Sequence, residues 1–322
     1  MLSRAIRGLS VCAVVLAASA VSAQDYPARP VRMVVPLTAG SGADIAGRIV
    51  GRKLTEVWKQ SVIADNRPGA GGQIGTQLVV SANPDGYTWL VQSASHAANP
   101  AIYEKLPYDS LKDLADVALL GTSPYIMVAA PAGPYRTLKD LIDAAKAKPG
   151  VIPFASAGVG SSTHLTAEYF AQAAGIKMIH VPFKGSPEAI TDAATGRVSF
   201  YMAPIGTAIG MAQENRVRVL GVTSAKRVPQ LPNVPTIAEQ GLTGFAMDLW
   251  FGLWVPAGTP RAIVQKINVD VNQVLKAKDV QDQYEKLGMT AGAMSADQFA
   301  AFVRSEIDKY QKIVKTAGIK PL

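Results

Sequence analysis

The chain has 322 residues, 48% of them apolar and 17% charged, so it can bury a sizeable core and does not have the composition of a disordered chain. Gly and Pro together make up about 15%, too little for a low-complexity chain. The formal net charge is +8, with the basic residues scattered rather than clustered, which favours attraction of small anions over nucleic-acid binding.

The first 23 residues read as an export signal. Arg4 and Arg7 form a basic start, Leu9 to Ala20 an apolar stretch, and Val21-Ser22-Ala23 a small-residue cleavage site. Cleavage is expected after Ala23, which leaves an exported mature chain. The apolar stretch is shorter than the roughly 20 residues that cross a bilayer. Loss of Arg4 and Arg7 lowers the charge from +8 to +6, and loss of Cys12 removes the only cysteine. Disulfides, thiolate metal sites and Cys nucleophiles are then excluded.

Beyond the leader, short β-branched runs alternate with amphipathic stretches. Val31 to Val35 reads as a strand, Pro36 to Gly42 as a loop, and Asp44 to Trp58 as a helix with Val50, Leu54, Val57 and Trp58 on one stripe. Asn66 to Gly75 is a Gly-dense turn leading into a helix. Strands are expected at 88–91, 117–121 and 126–130. Thr137 is placed to cap a helix running through Lys146. A strand at 152–155, a Gly/Ser loop at 156–163 and a helix at 164–174 follow. Further strands are expected at 179–182, 199–202, 217–223 and 249–255, and Thr259-Pro260 opens a helical C-terminal region. This order predicts an α/β fold with a mostly parallel sheet. The unit of strand, Gly/Ser loop and helix occurs near residue 40 and again near residue 160, which suggests two domains facing a shared cleft.

Both loops suit an anion. A strand end, small residues and a helix start leave backbone N–H groups free at the positive end of a helix dipole, and no Arg is needed. The first such loop is Thr38-Ala39-Gly40-Ser41-Gly42-Ala43, and the second runs from Ser156 through Gly160, Ser161 and Ser162 to Thr163. A tight turn with no ligand remains the plain alternative for either. Neither loop is a Walker or dinucleotide motif. Asp44 could cap or brace the first loop, or meet a ligand amine or a water. His96, His164 and His180 are the only histidines and lack metal-ligand spacing. His164 is placed to brace the second loop or face the cleft, and His180 reads as a core residue. Trp250 and Trp254 share one face of a strand, either as core or as a wall over a ligand. No G-x-S-x-G elbow is present, so nothing demands an enzyme, although a hydrolase using a loop serine stays open.

Several segments together resemble a known family. They include Tyr26-Pro27-Ala28-Arg29-Pro30, Pro36 to Asp44, Asp65 to Gly72, Asn83-Pro84-Asp85-Gly86-Tyr87-Thr88 and Leu106-Pro107-Tyr108-Asp109. Further on come His180-Val181-Pro182-Phe183-Lys184-Gly185, Val222 to Arg227 and Pro256 to Pro260. In this order they resemble the substrate-binding proteins of tripartite tricarboxylate transporters, the Bug family. The resemblance implies a two-lobed, Venus-flytrap fold of the type II periplasmic binding class. It also implies a small carboxylate ligand, a membrane permease as partner, and no cofactor or catalysis. A monomer is expected. The lobes are expected at 24–123 with 247–322, and at 124–246, with crossings near Ser123 and Phe245. A ligand-sensing subunit for a signalling system would use the same clamp.

The resemblance places the ligand carboxylate on the two loops, from Leu37 to Asp44 and from Ser156 to His164. It adds Ala203-Pro204 and the stretch from Asp248 to Trp250, and the candidate set is completed by Ser93, Ser95, His96, Lys184 and Gly185. The chain departs from the family where Gly40-Ser41-Gly42-Ala43 replaces a Gly-Gly-Gly-Thr pattern, where Ser199 follows Val198, and where Ala203 replaces a frequent Asp. Without an acid at Ala203 a ligand ammonium loses a partner, which favours a di- or tricarboxylate, aromatic diacids such as terephthalate included.

Overall fold

The computed structural model describes residues 26–319. The leader, Cys12 and the cleavage site lie outside the described residues. Ten strands and ten helices follow one another in the described chain. Strand β1 (Val31–Val35) leads into α1 (Gly42–Trp58), β2 (Val62–Asn66), α2 (Gln73–Val80), β3 (Thr88–Ser93) and α3 (Ser95–Ile102). The long β4 (Leu114–Ala129) precedes α4 (Leu138–Ala147), β5 (Ile152–Ser156), α5 (Ser162–Ala174), β6 (Met178–Pro182) and α6 (Ser186–Thr195). Then come β7 (Phe200–Pro204), α7 (Ile205–Gln213), β8 (Arg218–Val222) and β9 (Asp248–Pro256). Helices α8 (Arg261–Leu275) and α9 (Lys278–Lys286), the short β10 (Thr290–Ala291) and α10 (Ala296–Ala317) complete the chain.

The strands run in the order β2-β1-β3-β9-β4-β7-β5-β6, with β8 and β10 paired to β4. The first five of these form one sheet, and the second sheet starts on the far end of β4. The segments at 117–121 and 126–130, expected as separate strands, are one strand that passes from sheet to sheet: residues 114–124 pair with β9, and residues 125–129 pair with β7 and β8. The sheet is therefore mixed rather than mostly parallel. Strands β1, β2 and β3, and likewise β5, β6 and β7, are parallel, while β4 and β9 run antiparallel to their neighbours. A strand that leaves one sheet and a strand that returns to it must run in opposite directions.

Thr223 fastens the two crossings together. It is buried, its hydroxyl accepts from the Tyr125 N–H at 2.9 Å, and it donates to the Met247 carbonyl at 2.6 Å. The core of the first sheet holds all four tryptophans near it. Trp89, Trp250 and Trp254 are almost wholly buried, and Trp58 packs edge-on to Trp89. Each indole N–H has an acceptor: Asp270 for Trp58, the Gly86 carbonyl for Trp89, Glu306 for Trp250 and Asp116 for Trp254. That pairing is what lets such large amphipathic rings enter a core. A smaller cluster around Ile126, Ala203, Ile205 and Val222 supports the second sheet. No helix among the described residues is long and apolar enough to cross a membrane.

Candidate functional site

A cleft lies between the two sheets. Its inner end is a cavity of about 20 Å³, room for one or two waters. It opens toward an outer cavity of about 780 Å³, and Leu37 and Ala157 line both. The local sequence explains the inner end. β1 stops at Pro36, and α1 starts at Gly42 with Ser41 as its N-cap, so the first turn of α1 aims its unsatisfied N–H groups inward. On the opposite wall, α5 starts at Ser162 with Ser161 as N-cap. Two helix starts of positive potential thus face one small space.

The two N-caps differ. The Ser161 hydroxyl accepts from the His164 N–H at 3.2 Å and so caps its own helix. The Ser41 hydroxyl makes no such bond; it is buried and has no partner. The Thr38 hydroxyl, at the edge of the same loop, is also buried without a partner. Among the described residues, no charged side chain lines the inner cavity.

Of the sequence-predicted set, Leu37, Ser41, Gly42, Ala43, Ser93 and Ser95 line the inner cavity from the first side. Ser161, Ser162, Thr163, Gly185 and Pro204 line it from the second. Lys184 lies on the outer cavity. Ala39 and Gly40 are exposed on the loop's rim.

Others brace rather than line. The buried carboxylate of Asp44 accepts from the Gly40 N–H, from Arg48 at 2.9 Å and from Asn66 at 3.0 Å. Burial would raise its pKa, but the hydrogen bonds from Arg48, Gly40 and Asn66 outweigh burial and hold it below the usual carboxylate range. Ser156 is buried beneath the second loop, bonded to the Gly158 backbone and at 2.6 Å to His180 Nε2. His164 accepts the Gly160 N–H on Nδ1, and its ring stacks on His180 at 3.8 Å. Gly160 itself packs against Ile102 and Tyr103.

Four predicted residues are placed elsewhere. Ala203 is buried in β7 opposite Ile126, within the second core. An acid there would sit among apolar side chains, so the argument that Ala203 selects the ligand loses its ground. Asp248 is exposed. Trp250 packs on Trp254, Phe299 and Phe302, and its neighbours Leu249 and Phe251 reach the cavity instead. His96 is fully buried against Trp254, with both ring nitrogens unpartnered. Ala157 and Leu249, inside the expected stretches 156–164 and 248–250, also line the inner cavity, while residues the sequence reading missed include Ser186 and Phe251 there and Tyr103, Phe183 and Glu188 in the outer one. Ser186 adjoins a motif already singled out and Phe183 lies within it; Tyr103 carried no signal of its own.

Burial holds His96 neutral, with its pKa pushed down to about 4, and burial aided by the neighbouring His164 pushes His180 down to about 3. The unfolded chain takes up these protons near 6.5, so the stability they confer is complete above that pH and is lost as pH falls toward 4. The melting temperature is therefore expected to fall between pH 6.5 and 4.5. Replacing His96 by Leu should flatten that fall by roughly 2–3 kcal/mol at pH 4.5, read by calorimetry at the two pH values. An unchanged slope would show that His96 does not stay neutral.

Among the described residues, no group of three His, Cys, Asp or Glu is placed to hold a metal ion. Comparisons with known proteins give the cleft its context. Residues 46–319 match the family model described as "Tripartite tricarboxylate transporter family receptor". The chain is 34% identical over 305 residues to protein BugT of Bordetella pertussis, covering 94% of each chain. It is similar to the structure of Rpa4515 of R. palustris with adipate, at 32% identity and a TM-score of 0.89, covering 92% of this chain and 100% of that one. MatC of Rhodopseudomonas palustris with bound malate is 30% identical, with a TM-score of 0.85 over 90% of this chain and 100% of that one. The motifs along the chain, the two-lobed α/β architecture and these matches agree: the chain belongs to the receptor family of the tripartite tricarboxylate transporters, solute-binding proteins rather than enzymes.

Proposed function

We propose that the protein captures a small di- or tricarboxylate between its two lobes in the periplasm and passes it to the membrane permease of such a transporter. The observation that carries this reading is the buried, unpartnered Ser41 hydroxyl at the start of α1, in a cavity that a second helix start closes from the other side. A buried hydroxyl left without a partner costs about 1–3 kcal/mol, and a ligand carboxylate would satisfy it together with the free N–H groups.

One carboxylate fits the inner end. A six-carbon diacid does not, so its body and second charge lie in the outer cavity, where Lys184 is the one basic lining residue among the described residues. The absence of any acid from the inner lining supports the preference over amino acids, because an ammonium beside the bound carboxylate would have no partner there. The relatives bound to adipate and malate are in keeping with this chemistry. The lobes are residues 24–123 with 247–322, and 124–246, hinged at the crossings that Thr223 ties.

A thermal-shift screen tests the reading. It should include malate, adipate, tricarboxylates, aromatic diacids, aspartate and glutamate. Ligand at 100 times its dissociation constant should add about 2.7 kcal/mol, a rise on the order of 5 °C. Flat responses and flat calorimetry with every diacid and tricarboxylate would sink it.

A further inference from the structure

Helix α3 carries three polar side chains at spacings of four, Ser95, Asn99 and Tyr103, the last at its C-cap. Residues four apart on a helix stand above one another on one face. Here the stripe runs along the cleft, from the inner cavity that Ser95 lines to the outer cavity that Tyr103 lines. Two of the three reach the opposite side. The Ser95 hydroxyl accepts from the Ser162 N–H at 3.0 Å, and the Tyr103 hydroxyl donates to the Val159 carbonyl at 3.0 Å. Between them, Asn99 donates to the Gly71 carbonyl at 3.3 Å and to Tyr108 at 3.2 Å, holding the glycine turn of the first side in place. That turn fits against the same point: a Cβ on Gly71 would lie 2.7 Å from the Tyr103 hydroxyl and 2.9 Å from the Val159 carbonyl.

We propose that Ser95 and Tyr103 are positioning residues that latch the second loop onto α3, and that this latch populates the closed receptor before any ligand arrives. Both crossing bonds end on the loop at 156–163, the segment that carries the helix start of α5. Both are made by protein atoms alone, so neither needs a ligand atom to form. The receptor then samples its binding-competent form in the free state, and a ligand draws on that population. Removing one bond should lower the closed population without changing any group on the inner cavity. Tyr103 suits this, because loss of its hydroxyl leaves the ring that packs on Gly160.

The experiment uses no ligand, so its outcome is independent of the carboxylate reading. Spin labels are placed at Leu78→Cys and Val151→Cys, both exposed and on opposite sides, in the chain from Gln24 onward, which has no other cysteine. Distances are measured by pulsed electron resonance in the ligand-free protein with and without Tyr103→Phe. The parent should show a populated short-distance state, and the variant a closed-to-open ratio lower by about fivefold, as loss of one net hydrogen bond implies. Its unfolding temperature should stay within about 2 °C of the parent, whereas a merely structural role would lower that temperature and leave the distances alone. A parent that is wholly open, or a variant with unchanged distances, would overturn the latch.

Discussion

Gly185→Ala is expected to weaken ligand capture by one to two orders of magnitude while leaving the ligand-free protein folded. Gly185 precedes α6 with an extended backbone (φ −174°), a conformation any residue adopts, so no backbone strain arises. The obstacle is across the cleft. A Cβ at 185 would lie 1.8 Å from the Thr38 hydroxyl oxygen and 2.9 Å from Thr38 Cβ. Rotating the Thr38 side chain removes the first clash but not the second, so the two loops must separate. Forcing extra volume into a packed site costs about 1–3 kcal/mol. Thr38 follows β1 on the first sheet and Gly185 follows β6 on the second, so that cost falls on the closed form and is avoided on opening. Titration calorimetry with the ligand found by the screen, beside thermal unfolding without it, separates the two states. Unchanged affinity would mean that ligand is held with the loops farther apart than they are here.

Asp44→Ala should lower stability by roughly 2–3 kcal/mol and weaken binding as well. The side chain is buried and takes hydrogen bonds from the first loop at Gly40, from α1 at Arg48 and from the end of β2 at Asn66. Removing it strands those donors and frees the loop that presents Ser41. Arg48 is about half exposed and regains water, so the cost stays below the 3–5 kcal/mol of a wholly buried pair. The carboxylate's folded pKa is depressed, so its contribution is complete above the unfolded value of 3.8 and is lost as pH falls through the lower, folded one. The expected difference between parent and Asp44→Ala is therefore constant from pH 5 to 8 and shrinks in stronger acid. Denaturant unfolding across that range is the check. A variant as stable as the parent would show that Arg48 and Asn66 hold the loop alone.

Much of the cleft was legible because its chemistry is local. A strand end, small residues and a helix start mark a loop with free backbone N–H groups within a dozen positions, and both such loops meet at the inner cavity. The capping role of Thr137 was legible for the same reason: its hydroxyl accepts the Asp140 N–H and the Asp140 side chain returns the bond. The crossing strands were not legible in this way. Strands were expected to end at Gly121 and restart at Ile126, yet β4 continues between them, because β9 pairs alongside as far as Pro124 and β7 and β8 take over beyond.

The sequence by itself determined the family, the pair of Gly/Ser loops that open helices onto the cleft, and the lack of any cysteine among residues 26–319. Tertiary structure alone decided which side chains see the cavity. In β9 every residue after Asp248 is buried, so alternation could place Trp250 and Trp254 on one face but could not say whether core or cleft lay there. Packing gave their face to α10, through Phe299 and Phe302, and left Leu249 and Phe251 to the cavity. Likewise, the spacing of Ser95, Asn99 and Tyr103 gains meaning only when a loop some 60 residues away closes on it. A hydrogen bond across a cleft depends on where two separately folded sides come to rest, and no local pattern records that.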